Sequence, residues 1–156
     1  MRTNYQFSIS SHLGCTASEL WGHAITPQGI NRELFPLLKM TSPKSYQNRS
    51  GMTGVPLNQK LFRSWILLFG VIPVEYDDIT VVEMIPEQKF VEVSTMCTQK
   101  VWRHERRFTQ VSEVCEVTDQ VTFEPKLKLF GPVQLMIFRL VFQLRHKNLK
   151  RIFPVL

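Results

Sequence analysis

Long hydrophobic runs are missing from this sequence. No stretch approaches the roughly 20 apolar residues needed to cross a bilayer, and the best, Val133 to Leu144, is shorter and carries Arg139. The N-terminus, Met1-Arg2-Thr3-Asn4-Tyr5-Gln6, lacks the apolar centre of a secretory signal. Cysteine is scarce. Cys15, Cys97 and Cys115 are odd in number and stand in no CxxC spacing, which suggests neither a disulfide framework nor a zinc site. Internal repeats and low-complexity tracts are also lacking. These absences predict a soluble, cytoplasmic protein of a reducing compartment, with no metal or cofactor implied. What is present is ordinary for a globular domain: 156 residues, 44% hydrophobic and 21% charged. That length buries roughly two thirds of the unfolded surface, so residues 1–156 are expected to form a single domain. Nineteen Lys and Arg against thirteen Asp and Glu leave +6, a modest basic excess.

Periodicity then orders the chain. Tyr5, Phe7 and Ile9 alternate with polar residues and predict a strand over Tyr5 to Ser10. Thr16-Ala17-Ser18-Glu19 is a capping box, and Ala17, Leu20, Trp21 and Ala24 share one face of the helix behind it. Thr26-Pro27 opens a second short helix, about Pro27 to Leu34, because Pro suits the first helical position. From Thr41 to Asn58 the pattern gives way to Ser, Asn, Gln, Thr, Gly and Pro, a loop or a short strand within one. Five β-rich runs follow: Leu61 to Phe69, Ile79 to Ile85, Lys89 to Cys97, Lys100 to Thr109 and Cys115 to Glu124. Short turns separate them, as in an antiparallel meander. A helix over about Pro132 to Arg151 closes the chain. Val133, Met136, Ile137, Leu140, Val141 and Leu144 line one face, and Leu135, Phe138, Phe142 and Leu149 form a second apolar stripe. The expected class is α+β, a curved antiparallel sheet wrapped around the long C-terminal helix, with two short helices after the first strand.

The hairpin of Lys100–Thr109 with Cys115–Glu124 carries the most chemistry. One alternation holds Arg103, Glu105, Arg107 and Thr109, then Glu116, Thr118, Gln120, Thr122 and Glu124, and must face water. The other turns Trp102, His104, Arg106, Phe108, Cys115, Val117, Asp119, Val121 and Phe123 inward. A turn centred near Ser112 would set His104 opposite Asp119 and Trp102 opposite Val121. Buried ionisable groups need partners, so this trio is either a satisfied pair that sets strand register or a polar anchor in an apolar pocket. In Phe90-Val91-Glu92-Val93-Ser94 either face could point inward, so Glu92 stays unassigned.

Several stretches resemble the START-like, helix-grip group, the SRPBCC superfamily, which includes birch-pollen-allergen-like and polyketide cyclase/dehydrase-like proteins. Glu19-Leu20-Trp21 with Pro27, Gly29-Ile30-Asn31, Leu34 and Pro36 is similar to that group's opening helix pair. Trp102-Arg103-His104-Glu105-Arg106-Arg107-Phe108 resembles the W-x-H-x-x-x-F strand of bacterial members. Asp119 to Pro125 resembles their D-x-V-x-F-x-P strand, and Phe142 to Leu149 their F-x-x-R-H-x-x-L segment. At the turn before the W-x-H strand, where members often carry Gly-Pro, this chain has Cys97-Thr98-Gln99-Lys100. The resemblance implies a deep apolar cavity between the sheet and the last helix, in which hydrophobic molecules are bound or transformed.

The expected function is binding of a hydrophobic or amphipathic small molecule (lipid, polyketide or aromatic) in that cavity. Trp102, Val121, Phe123, Met136, Ile137 and Leu140 would form the apolar wall, with His104, Asp119 and Arg106 as polar anchor and Gly51 to Pro56 as part of a gate. Two alternatives stand beside it. One is a cyclase- or dehydratase-like enzyme with His104 as acid–base and Asp119 orienting its ring. The other is a module docking through its basic helix end. No acid follows Glu124, while Lys126, Lys128, Arg139, Arg145, Lys147, Lys150 and Arg151 do; four of these fall in the last turns, where cations offset the helix dipole. Aromatic and basic interleaving on an exposed sheet face is missing, which argues against nucleic acid. Transient membrane contact stays open, and the sequence specifies neither the ligand nor an oligomeric state.

Overall fold

The computed structural model describes residues 4–47 and 53–156. Seven strands form one antiparallel sheet: β1 (Tyr5–Leu13), β2 (Leu38–Met40), β3 (Lys60–Leu68), β4 (Ile72–Ile85), β5 (Lys89–Met96), β6 (Gln99–Val111) and β7 (Val114–Pro125). Their spatial order is β1-β7-β6-β5-β4-β3-β2. Register shifts interrupt β3–β4 and β4–β5, and such bulges bend and twist a sheet. Two short helices, α1 (Ala17–Ala24) and α2 (Pro27–Leu34), follow β1, and a one-turn helix, α3 (Lys44–Gln47), follows β2. The long α4 (Gly131–Ile152) closes the chain after a 3-10 turn at Lys128–Phe130. The result is a curled sheet gripping a C-terminal helix, as the pattern predicts. Thr41–Asn58 is less empty than its composition implies, since α3 forms within it.

Local chemistry accounts for the starts and stops. Thr16 Oγ1 accepts from the Glu19 amide at 3.1 Å while Glu19 Oε2 accepts from the Thr16 amide at 2.9 Å, the reciprocal capping box. Thr26 Oγ1 accepts from the Gly29 amide at 3.0 Å and starts α2. Gly29 allows α1 and α2 to touch, because a Cβ there would stand 1.8 Å from the His23 carbonyl oxygen.

The β6–β7 hairpin corrects the expected register. Val111 pairs with Val114, so the two-residue turn Ser112-Glu113 puts the centre between residues, with Ser112 at φ 56°. His104 therefore lies opposite Val121, Trp102 opposite Phe123, and Arg106 opposite Asp119.

Apolar side chains collect in two clusters. Leu13, Leu20, Trp21, Phe108, Cys115, Val117 and Leu149 belong to one. Phe7, Met96, Trp102, Val121, Phe123 and Phe142 belong to the other. On four elements the same order repeats. Ser11 falls between Phe7 and Leu13, His104 and Arg106 between Trp102 and Phe108, Asp119 between Val117 and Val121, and Arg145 and His146 between Phe142 and Leu149. A polar layer thus separates two hydrophobic clusters.

Candidate functional site

The polar layer is an ion-pair network built around Arg106. Its guanidinium donates to Glu33 at 2.8 and 3.1 Å and to Asp119 at 2.7 and 2.8 Å, and all three side chains are fully buried. His104 Nε2 donates to Asp119 Oδ1 at 2.6 Å, diagonally rather than across the strand pair. His146 Nε2 meets Asp119 Oδ2 at 2.7 Å and its Nδ1 meets Ser11 Oγ at 2.7 Å. Nε2 donates to the carboxylate, and Nδ1 shares the second hydrogen bond with the Ser11 hydroxyl. Arg145 Nε donates to Glu33 Oε1 at 3.0 Å, and His23 Nε2 sits 3.1 Å from Glu33 Oε2. Asn148 Nδ2 donates to the carbonyls of Glu33 and Phe35. Burial alone would raise both carboxyls, but the Arg106 charge overrides it and holds Glu33 and Asp119 below the usual carboxylate range. The same two carboxylates push Arg106 further up despite its burial.

Beside this layer lies a cavity of about 430 Å³ between the concave sheet and α4. Leu34, Ile66, Met96, Trp102, Phe138, Val141 and Phe142 give it apolar walls, and a few polar side chains (Glu75, Asp77, Glu92, Thr98, His104, Gln134, Arg145) interrupt them. A smaller cavity of about 110 Å³ extends toward α1 and α2, with Ile25, Ile30, Phe62 and Phe90 in its walls. Met40, Glu92, His104 and Arg145 line both cavities and stand where the two meet. The His104 ring rests edge-on against Phe90 and Phe142, with centroids 5.6 and 5.0 Å away. A residue held by Asp119 on one nitrogen and by two aromatic edges is rigidly oriented.

The expected wall is rearranged. Trp102 and His104 line the large cavity, and so does Ile137 although it is 47% exposed. Met136 and Leu140 face outward, 57% and 55% exposed. Burying Arg145 and His146 in the network rotates α4 so that Phe138, Phe142 and Leu149 turn inward, and the 136/140 face follows the opposite side. Asp119 and Arg106 are buried behind His104, and Val121 and Phe123 pack into an apolar cluster; none of the four lines either cavity. Gly51 and Met52 lie outside the described residues, and residues 53–56 line neither cavity.

Arg145 belongs to the buried layer rather than to a solvated basic helix end. Glu92 points inward, where its Oε2 accepts from Ser94 Oγ at 2.6 Å. Cys115 is a fully buried core residue, and Cys15 is buried with its thiol pushed up to about 11, chiefly by burial. Neither resembles an activated nucleophile.

Glu33, Arg145, His146, Asp77 and Glu75 are absent from the candidate site residues that the sequence offers, although Arg145 and His146 stand in its F-x-x-R-H-x-x-L segment. The first three left a signal: Glu33 stands one turn after Gly29 on the buried face of α2, and Arg145-His146 fall three and four places after Phe142, inside the apolar stripe. Asp77 and Glu75 left none, because the sheet's bulged β3–β4 half decides which side chains point inward.

A curled seven-stranded antiparallel sheet, two short helices after the first strand and a long helix across an apolar cavity define a START-like, helix-grip fold. Solved structures share this fold. Protein CV1439 from Chromobacterium violaceum matches with a TM-score of 0.72 at 10% identity, over 95% of this chain and 96% of that one. A START superfamily protein from Mycobacterium smegmatis matches at 0.66 and 8% identity, over 95% and 96%. Ara h 8.0201 matches at 0.62 and 9% identity, over 94% and 95%. Residues 11–153 match the family model described as domain of unknown function DUF8410, and the chain belongs to that family. No curated protein sequence matches it significantly. No helix among the described residues is long and apolar enough to cross a membrane.

Proposed function

We propose that the chain is a binding protein for an apolar small molecule, held in the large cavity between the sheet and α4. The carrying observation is the cavity itself: about 430 Å³ of space bounded mainly by aliphatic and aromatic side chains, with few polar groups. Such a space suits a ligand oriented by one or two polar contacts. His104 is the oriented polar group at the inner end, and Asp119 and Arg106 act through it as positioning residues. The START-like likeness supports the same reading at the level of fold alone.

Native mass spectrometry of the purified protein, with organic extraction, tests it. The expected result is a stoichiometric adduct of a few hundred daltons, or uptake of ethylnaphthalene by the apo protein that Val141→Trp abolishes without lowering Tm. Uptake indifferent to Val141→Trp, or no uptake at all by an apo protein, would overturn it.

An enzymatic reading is favoured by one observation, the His104–Asp119 pair at the cavity wall. Nε2 is committed to Asp119, so a substrate proton would be exchanged at Nδ1. Turnover of an aromatic polyketide analogue that His104→Gln abolishes would support it. Equal turnover in that variant would remove it.

A further inference from the structure

The large cavity has an acidic wall that the polar layer does not use. Glu75 and Asp77 on β4 and Glu92 on β5 all line it. Among the described residues no Lys, Arg or His nitrogen comes within ion-pairing distance of any of the three. Glu75 is satisfied locally by the Thr98 amide and hydroxyl and by the Tyr76 amide. Asp77 is only half satisfied: its side chain is 3% exposed and its carboxyl is hydrogen-bonded with Glu92 and Ser94, but Oδ1 has no hydrogen-bond partner. On the facing helix, Gln134 Oε1 is likewise buried and unpartnered, and Gln134 also lines the cavity. Buried acceptors without donors are rare in native proteins, so the cavity presents acceptors that wait for a donor. The two cationic or potentially cationic groups in the same cavity are already engaged. Arg145 is paired with Glu33 and lies over the Phe142 ring, and His104 is bound to Asp119. No group of carboxyl, His or Cys ligands among the described residues is arranged to hold a metal ion. With Asp77 held toward its protonated form beside the Glu92 charge, the uncompensated charge is the negative one shared by that pair, within an aromatic-lined space suited to an organic cation.

Resting on the reading of the cavity as a ligand site, we propose that its occupant is an organic cation: an apolar, aromatic-sized molecule with a protonated amine on the Asp77 and Glu92 carboxyls and its apolar body between Trp102, Phe138 and Phe142. The ammonium supplies the donors that Asp77 Oδ1 and Gln134 Oε1 lack. The burial of Asp77 and the adjacent Glu92 charge hold its carboxyl well above the ordinary value, which fits two neighbouring acids short of positive charge. The chain as a whole carries +6, so its overall field repels cations and cannot produce this preference.

Three ligands of one shape test it on the full chain: naphthylethylamine, naphthylethanol and naphthylacetate, each titrated at neutral pH by calorimetry. The expected result is an amine that binds at least about tenfold tighter than the alcohol and more tightly still than the acetate. Asp77→Asn or Glu92→Gln should shrink the amine-to-alcohol ratio toward one. The comparison on the unmodified protein stands even if neither variant folds. Equal binding of amine and alcohol would overturn the cation proposal and leave the cavity reading intact. Preference for the acetate would overturn it in favour of an anion on Arg145. Failure of all three to bind would overturn both readings together.

Discussion

Arg106 contacts both buried carboxylates of the polar layer, and among the described residues no other side chain does so. Removing its guanidinium leaves two desolvated charges with only Arg145 and the histidines to answer them. Arg106→Met should therefore cost about 3–5 kcal/mol of stability, read from urea denaturation. Arg106→Lys should recover little of it, since a single ammonium cannot form two bidentate pairs. A loss under about 1 kcal/mol would show that the layer relaxes around the missing charge. The sequence shows how much of this residue-scale picture can be read in advance. His104, Arg106 and Asp119 are legible because strand alternation sends them inward with Trp102 and Phe108. Their arrangement is not, because a one-residue shift of the turn centre moves every partner by two positions. Glu33 and Arg145 lie 112 positions apart, and no local pattern reports a contact of that separation.

At the scale of elements, α4 shows what periodicity leaves undetermined. Its two apolar stripes are comparable in the sequence, and the choice between them is made by Arg145 and His146, which must reach Glu33 and Asp119. The register makes a direct prediction. Met136→Lys and Leu140→Lys should each shift stability by no more than about 0.5 kcal/mol, whereas Phe142→Ala should cost about 3–5 kcal/mol. Thermal melts of the three variants distinguish this rotation from one with the 136/140 face inward, which reverses the ranking. The α1–α2 corner makes another. Thr26→Ala removes one cap bond and should cost about 1 kcal/mol. Gly29→Ala should cost more than that, because its Cβ meets the His23 carbonyl oxygen at 1.8 Å and must drive α1 from α2. Since Glu33 rides on α2, that separation also loosens its grip on Arg106. A smaller loss in Gly29→Ala than in Thr26→Ala would show that the corner yields without disturbing the layer.

Taken as a whole, the molecule couples two apolar clusters through a charged layer and sets an acidic cavity wall beside it, and the two acid populations respond to pH in opposite senses. Glu33 and Asp119 titrate below their ordinary values when folded, held there by Arg106 against the effect of burial. Their contribution is complete above the ordinary carboxylate range and is lost as pH falls through their depressed values. Asp77 is displaced upward, first by burial and then by Glu92. Its proton favours the folded state, so its contribution is complete below the ordinary aspartate value and is lost as pH rises from there through its raised value. Stability should therefore peak in the mildly acidic range and decline toward neutrality, by at most about 1.4 kcal/mol per pH unit from this one group. Asp77→Asn removes the upper decline but not the acid limb, which belongs to Glu33 and Asp119. The variant should melt above the parent at neutral pH, with the gap closing as pH approaches the ordinary aspartate value. Calorimetric melts of both proteins across that range measure the gap directly. A constant difference at every pH would mean that Asp77 is ionised in the folded protein, and the acidic wall would then hold a full complement of negative charge without any ligand present.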